Sequence, residues 1–308
     1  MRRFIVFLLF ASLLSALILA LASGGFRALP GFAAGADPAL VVALWAVGFA
    51  LASFAAGAAT GDYSWVDRLW STLPVAFAWY YAFRGGFGIG IVAAALVVTL
   101  WGARLTANFA RRGGYSGEED YRWAVLRSRL GTGFFWQLFN LLFISLFQVG
   151  LFVLFTLPLR SLALEGRAPN APFIAGLALM AAAVALETAA DAQQWTFQEW
   201  KRRARSGETV PEPFRDDVAR GFRTTGLFAR CRHPAYLGEL SFWTFLALAC
   251  TLAAGRFVPE ALSGAVLLAA LFAGSIRFTE GITASKYPAY AEYRKRTWGI
   301  MPKPGRRG

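Results

Sequence analysis

The chain has 308 residues, of which 57% are apolar and only 16% charged. Soluble domains carry nearer ~25% charged residues, so this composition excludes an ordinary soluble enzyme, a disordered chain and a disulfide-stapled scaffold. The net charge of +13, from 31 Lys+Arg against 18 Asp+Glu, would suggest nucleic acid in a soluble protein; in a chain this apolar it reads as the positive-inside pattern of a membrane protein, with no nucleic-acid partner.

A helix that crosses a bilayer needs ~20 apolar residues. In chain order such windows fall at 4–22, 39–59, 69–83, 87–107, 134–157, 172–195, 235–254 and 257–279. They predict an all-α fold, a polytopic transmembrane helix bundle of about eight spans, seven in a core and one N-terminal to it. The third window is short and starts near Trp65, which draws Asp67 and Arg68 to the membrane boundary. With the N-terminus in the cytoplasm, alternation puts 26 Lys+Arg inside and 5 outside. That split predicts an inner-membrane protein with both termini cytoplasmic. Arg2 and Arg3 precede the first window, and Ala20-Leu21-Ala22 resembles a signal cleavage site. The window exceeds the usual ~7–15-residue signal core, which favours an uncleaved helix.

The plan is then an N-terminal helix and outer loop at 1–38, a membrane domain at 39–302 and a basic tail at 303–308. The cytoplasmic loops, 108–133 and 196–233, are too short to be domains. Any active site is therefore built from helices and these loops. No metal site is expected with one His and two cysteines 19 residues apart. Gly88, Gly90 and Ala93 match G-x-G-x-x-A but open a membrane helix, not a βαβ unit, and read as helix packing.

Glu187 and Asp191 lie four residues apart in the sixth window, on one helix face. Acids at membrane depth pair with a cation or face a wet cavity; Arg277 and Arg104 are the cations considered. Arg104 ends the fourth window with Asn108 one turn on. Residues 223–243 hold the only His. Pro234 suits the first turn of a helix, which puts His233 at its N-cap beside Arg230 and Arg232, an arrangement suited to an anion. Tyr236, Glu239 and Trp243 follow on one face. The last stretch, with Arg277, Glu280, Tyr290 and Tyr293, is basic and amphipathic and suits anionic lipid on one face and a ligand on the other.

Arg232-His233-Pro234-Ala235-Tyr236-Leu237-Gly238-Glu239 resembles the R-H-P-x-Y-x-G-[ED] signature of steroid 5-alpha-reductase-like membrane proteins. Sterol reductases and isoprenylcysteine carboxyl methyltransferases carry related versions. The likeness is to a bacterial branch, with further motifs at Asp62-x-Ser64-x-x-Asp67-x-x-Trp70-Ser71, Arg104-Leu105, Glu119-Asp120-Tyr121-Arg122 and Tyr290-x-x-Tyr293-x-x-x-Thr297. It covers about residues 39–302. The resemblance implies NADPH held at the cytoplasmic side of a bundle of about seven helices, with Asp191, Arg223, Tyr236, Glu239 and Trp243 in the cofactor region and Arg104 at a helix end. Asn108, Arg232, His233, Arg277 and Tyr290 complete the expected cofactor set.

The implied reaction is reduction of a C=C bond of a lipophilic, steroid- or isoprenoid-like enone, with lipid and a lipophilic small molecule as partners. The alternative is an S-adenosylmethionine-dependent methyltransferase; that ligand has no phosphate and gives the arginines less to do. The chain departs from the steroid enzymes at Ala235, where they have Asn, and at Trp101, where they have a proton-donating Tyr. A reductase here needs another acid. Asp67 leads, flanked by Trp65 and Trp70, with Tyr81, its neighbour Tyr80, and Glu187 as alternatives; capping or pairing with Arg68 is the competing role for Asp67.

Overall fold

A computed structural model describes residues 35–302, apart from 118, 167, 256 and 257. The expected first span and the basic tail lie outside the described residues. The described chain is helical, and its β-pairing is a single bridge between Cys231 and Trp298. Helix α1 is Pro38–Thr60, α2 Trp65–Leu69, α3 Leu73–Arg84, α4 Ile89–Arg111 and α5 Tyr121–Leu130. Then come α6 Phe134–Phe139, a π-helix Asn140–Phe147, α7 Gln148–Thr156, α8 Leu159–Glu165 and α9 Ala171–Arg205. After α10 Glu212–Arg220 and a 3-10 turn Gly226–Ala229 the chain ends in α11 Pro234–Ala253, a 3-10 turn Pro259–Leu262, α12 Ser263–Lys286 and α13 Tyr290–Arg296.

Six of these segments are long and apolar enough to cross a membrane: Pro38–Thr60, Ile89–Arg111, Phe134–Thr156, Ala171–Arg205, Pro234–Ala253 and Pro259–Lys286. They fit an integral membrane protein. Their outer faces carry Leu44, Val47, Leu51, Leu96, Leu100, Ile174 and Leu179 exposed, which hydrocarbon tolerates and water does not.

The expected span at 69–83 is broken by a turn at 70–72, and α3 itself has only 12 residues, about 18 Å at ~1.5 Å per residue. The segment still runs from one end of its neighbours to the other. Arg68 donates to the Gly114 carbonyl just past α4 at 3.1 Å, and Arg84 to the Ala36 carbonyl just before α1 at 2.9 Å, so 61–68 and 112–133 share one side and 85–88 lies on the other. Pro74, near the start of α3, cannot donate to a preceding turn, so α2 does not run on into it. The sixth span runs ten residues past its expected end, because Glu199 pairs with Arg202 at 2.7 Å and Arg203 at 3.1 Å across one turn.

Two compact units divide the described chain. The first takes the residues up to Leu177 with Leu246–Gly264; the second takes Ala178–Phe245 and the residues from Ala265. In the first, Asp37 caps α1 through the Ala39 N–H at 2.9 Å and is held by Arg160. Gly61, at φ +70°, ends that helix in the left-handed region. Close approach of α3 and α4 depends on Gly102, where a Cβ would lie 2.5 Å from the Ser71 carbonyl. Trp65, Phe77, Tyr81, Trp101, Trp136, Phe152 and Phe155 fill the core.

Candidate functional site

In the first unit the Asp62–Ser71 motif closes on the Glu119–Arg122 motif. Asp62 accepts from the Ser64 N–H at 3.0 Å and pairs with buried Arg68 at 2.7 Å. Arg68 also donates to the Gly114 carbonyl at 3.1 Å. The Ser64 hydroxyl accepts from the Asp120 N–H at 2.8 Å. Glu119 accepts from the Tyr63 N–H at 3.1 Å and holds Arg127 bidentately at 3.0 and 2.7 Å. Asp120 caps α5 through the Arg122 N–H at 2.8 Å. Asp67 accepts from the Trp123 indole at 2.8 Å and lies 3.8 Å from Arg122. Burial raises its carboxyl above the usual carboxylate range; Arg122 opposes this. Asp67 does not cap α2, whose N-cap is Ser64 with no side-chain capping bond, and Arg68 pairs with Asp62 instead. In the same unit Tyr81 is fully buried with no hydrogen-bond partner for its hydroxyl. Arg104 is half-buried, and Asn108 is buried and accepts from Arg111 at 2.9 and 3.1 Å.

The second unit holds the basic loop after α10. Its anchor is Asp217, fully enclosed, which accepts from the Thr224 N–H at 3.0 Å and from the Thr224 and Thr225 hydroxyls at 2.8 and 2.6 Å. On α9, Gln193 receives the same loop: its side-chain oxygen accepts from the Leu227 N–H at 3.0 Å, and its carbonyl accepts from Arg223 at 2.7 Å. Gly226 sits at φ +64°, and a Cβ there would meet the Gln193 oxygen at 2.5 Å. Arg223 is thus fixed and half-buried, with its Nε unpartnered and no carboxylate within ion-pair distance among the described residues. Desolvation lowers its pKa from the ordinary arginine value, with Asp217 opposing. A guanidinium held this way attracts an anion.

The Arg232-His233-Pro234 segment is tied down differently. Helix α11 starts at Pro234, as the sequence predicts. The Arg232 and His233 N–H groups donate to the Trp298 and Gly299 carbonyls at 2.9 and 3.0 Å. Glu280 on α12 then gathers Arg232 at 2.6 Å, His233 at 2.8 Å and Arg294 at 3.1 Å. Arg232 also donates to the Thr297 carbonyl. The C-terminal strap is closed by Tyr293, whose hydroxyl donates to the Phe228 carbonyl at 2.5 Å, and by Phe222 packed on Tyr290 at 5.0 Å. Lys201 donates to the Gly221 carbonyl at 2.6 Å and to Tyr287 at 2.9 Å. Arg232 and His233 therefore have protein partners, whereas Arg223 has no carboxylate at ion-pair distance among the described residues.

Along α11, His233 stacks on Tyr236 and Tyr236 on Phe272, with centroids 5.4 and 4.1 Å apart. Glu239 accepts from the Trp243 indole at 3.0 Å. Gly238 lets α11 approach α9: a Cβ would lie 2.3 Å from Cγ of Glu187. Glu187, Asp191, Glu239 and Trp243 are buried, and Arg277 is exposed. Sequence reasoning missed Gln193 and Asp217, and passed over the role of Glu280. The signal for Asp217 was an acid followed by Thr224-Thr225 in a short loop; Gln193 had none beyond its polarity.

A family model described as "Protein of unknown function (DUF1295)" matches residues 53–297. An uncharacterised protein of Schizosaccharomyces pombe is 36% identical over 254 residues, spanning 79% of this chain and 74% of its own. No solved structure matches. The family match takes in both interlocked motifs of the first unit and the loop, signature and strap of the second. The chain belongs to the DUF1295 family.

Proposed function

We propose that this protein is an integral membrane oxidoreductase of the steroid 5-alpha-reductase-like group, which uses NADPH to reduce the C=C bond of a lipophilic enone. The observation that carries the reading is Arg223: a fixed, half-buried guanidinium with an unpartnered Nε and no carboxylate at ion-pair distance. Such a group suits a phosphate. Arg223 would hold a phosphate of NADPH, with Asp191, Tyr236, Glu239 and Trp243 as the further cofactor-binding residues. The nicotinamide supplies the hydride when bound. The strap formed by Glu280, Arg232, His233 and Tyr293 keeps the Arg223 loop in one conformation. S-adenosylmethionine has no phosphate and offers Arg223 a single carboxylate instead. Asp67 is the proposed acid: burial shifts its pKa toward the protonated form, against Arg122, and the Trp123 indole fixes one oxygen. Tyr81 is the second candidate. The proposed location is the bacterial inner membrane, both termini cytoplasmic.

The test is turnover. Membranes carrying the protein should consume NADPH with a lipophilic enone and yield the saturated ketone. Asp67→Asn should abolish this while NADPH still binds. Transfer of a methyl group from S-adenosylmethionine to a lipid carboxylate, with NADPH untouched, would replace the reading.

A further inference from the structure

The span Phe134–Thr156 departs from an ordinary helix over the eight π-helical residues Asn140–Phe147. Stretches of π-helix are rare and frequently mark functional sites. In this geometry residues five apart share a face, so Asn140 and Ser145 align, one turn apart. This segment packs on α1. Asn140 Nδ2 would lie 3.4 Å from a Cβ at Gly57, and the Tyr63 ring 3.2 Å from it. One α-turn before Gly57 is Ser53. Trp136 meets the Tyr63 ring edge-on at 4.9 Å, and Gln137 donates to the Tyr63 hydroxyl at 3.2 Å.

Five polar atoms on these two elements and the adjoining turn of α6 have no hydrogen-bond partner: Ser53 Oγ, Trp136 Nε1, Gln137 Oε1, Asn140 Nδ2 and Ser145 Oγ. All but Gln137 belong to residues at least nine-tenths buried. Several hydroxyls elsewhere in the spans are satisfied by their own helix. Thr60, Thr99, Thr156 and Thr251 donate to the carbonyl four residues back at 2.7–3.0 Å. Ser53 and Ser145 make no such bond. Hydrocarbon supplies no substitute partner.

We propose that this cluster is a binding site for an oxygen-bearing, lipid-soluble molecule, a carbonyl compound or an alcohol entering from the bilayer. Asn140 Nδ2 and Trp136 Nε1 are donors only, and the serine hydroxyls can turn to donate, so the set is suited to receive an acceptor oxygen. The ligand's apolar body has a matching surface: Phe139, Phe143 and Phe147 stack along the π-helix at 4.9 and 5.4 Å, beside Leu138 and Leu142, which are exposed. The site lies in the first unit and does not depend on the NADPH reading.

The full-length protein in lipid nanodiscs, without nucleotide, is titrated with a long-chain alkyl benzophenone, a lipophilic ketone that photocrosslinks where it binds. Saturable labelling within 53–63 or 136–147 is expected, competed by a long-chain ketone or alcohol and not by the alkane of equal length. Which of the two competes better identifies the oxygen. Asn140→Leu and Ser145→Ala should each weaken labelling about three- to tenfold, the effect of one lost hydrogen bond. Non-saturable labelling, equal competition by the alkane, or undiminished labelling of both variants with unchanged melting would overturn the proposal. If Asn140→Leu fails to fold, Ser145→Ala, which removes one hydroxyl, decides alone.

Discussion

Asp67 shows how one carboxyl can carry both a stability and an activity prediction. Burial raises its pKa, so the folded protein binds that proton more tightly than the unfolded chain. Its contribution to stability is full below the unfolded value of ~3.9 and is lost as pH rises through the raised folded value. Asp67→Asn keeps an acceptor for Trp123 and removes the loss. Thermal melts from roughly pH 4 to 8 should show the wild type falling behind this variant as pH rises; parallel curves would contradict the burial argument. Arg68 makes the opposite kind of prediction. Its partner Asp62 is buried with it, and Arg68→Ala leaves a carboxylate without its cation, a cost of about 3–5 kcal/mol. Denaturation in detergent reads that directly. The sequence placed Asp67 and Arg68 side by side but could not show which acid takes the arginine. That choice depends on a turn at 61–64 that brings Asp62 back over α2.

Helix starts were legible where the chemistry is local. Pro234 opens α11 after His233, from a residue type with a fixed backbone preference, whereas the cap of α5 by Asp120 was not read, since 108–133 was expected to be a loop. The ends were less so: α9 continues to Arg205 because side chains one turn apart pair, and the chain breaks at 70–72, which hydrophobicity does not register. The π-helix left no trace in composition, since Asn140–Phe147 is as apolar as any span. The strap is the element whose role was only half visible. The spacing of Tyr290, Tyr293 and Thr297 was read as a motif, yet its function comes from Glu280, one helix away in sequence. Glu280→Gln keeps the shape and removes the charge that compensates Arg232 and Arg294. The strap should then open, and trypsin should cut at Arg294–Arg296 much faster than in wild type. Unchanged cleavage would mean that ring packing of Phe222, Tyr290 and Tyr293 holds the strap without the ion pairs.

At the scale of the whole molecule, the apolar composition foretold a helical membrane bundle, and six described helices can span a bilayer. Orientation rests on the 26-to-5 charge split. It predicts that tags within 205–212 and after 308 report the cytoplasm and one near 165 the far side; an external signal at 205–212 would reverse the orientation. The candidate cofactor site was legible as a list of residues but not as an arrangement. Arg223, Arg230 and Arg232 look alike in a row, and only folding divides them: Arg232 goes to Glu280, and Arg223 stands on Gln193 without a carboxylate. That difference is the basis for reading the protein as a reductase, and cofactor binding tests it most directly. Intrinsic fluorescence from the 11 tryptophans is followed as purified protein is titrated with NADPH, NADH and S-adenosylmethionine. Saturable quenching by NADPH is expected, weakened roughly ten- to a hundredfold in Arg223→Ala, as for one charge-assisted contact of ~1.5–3 kcal/mol. Saturation by S-adenosylmethionine with no response to NADPH would contradict the account.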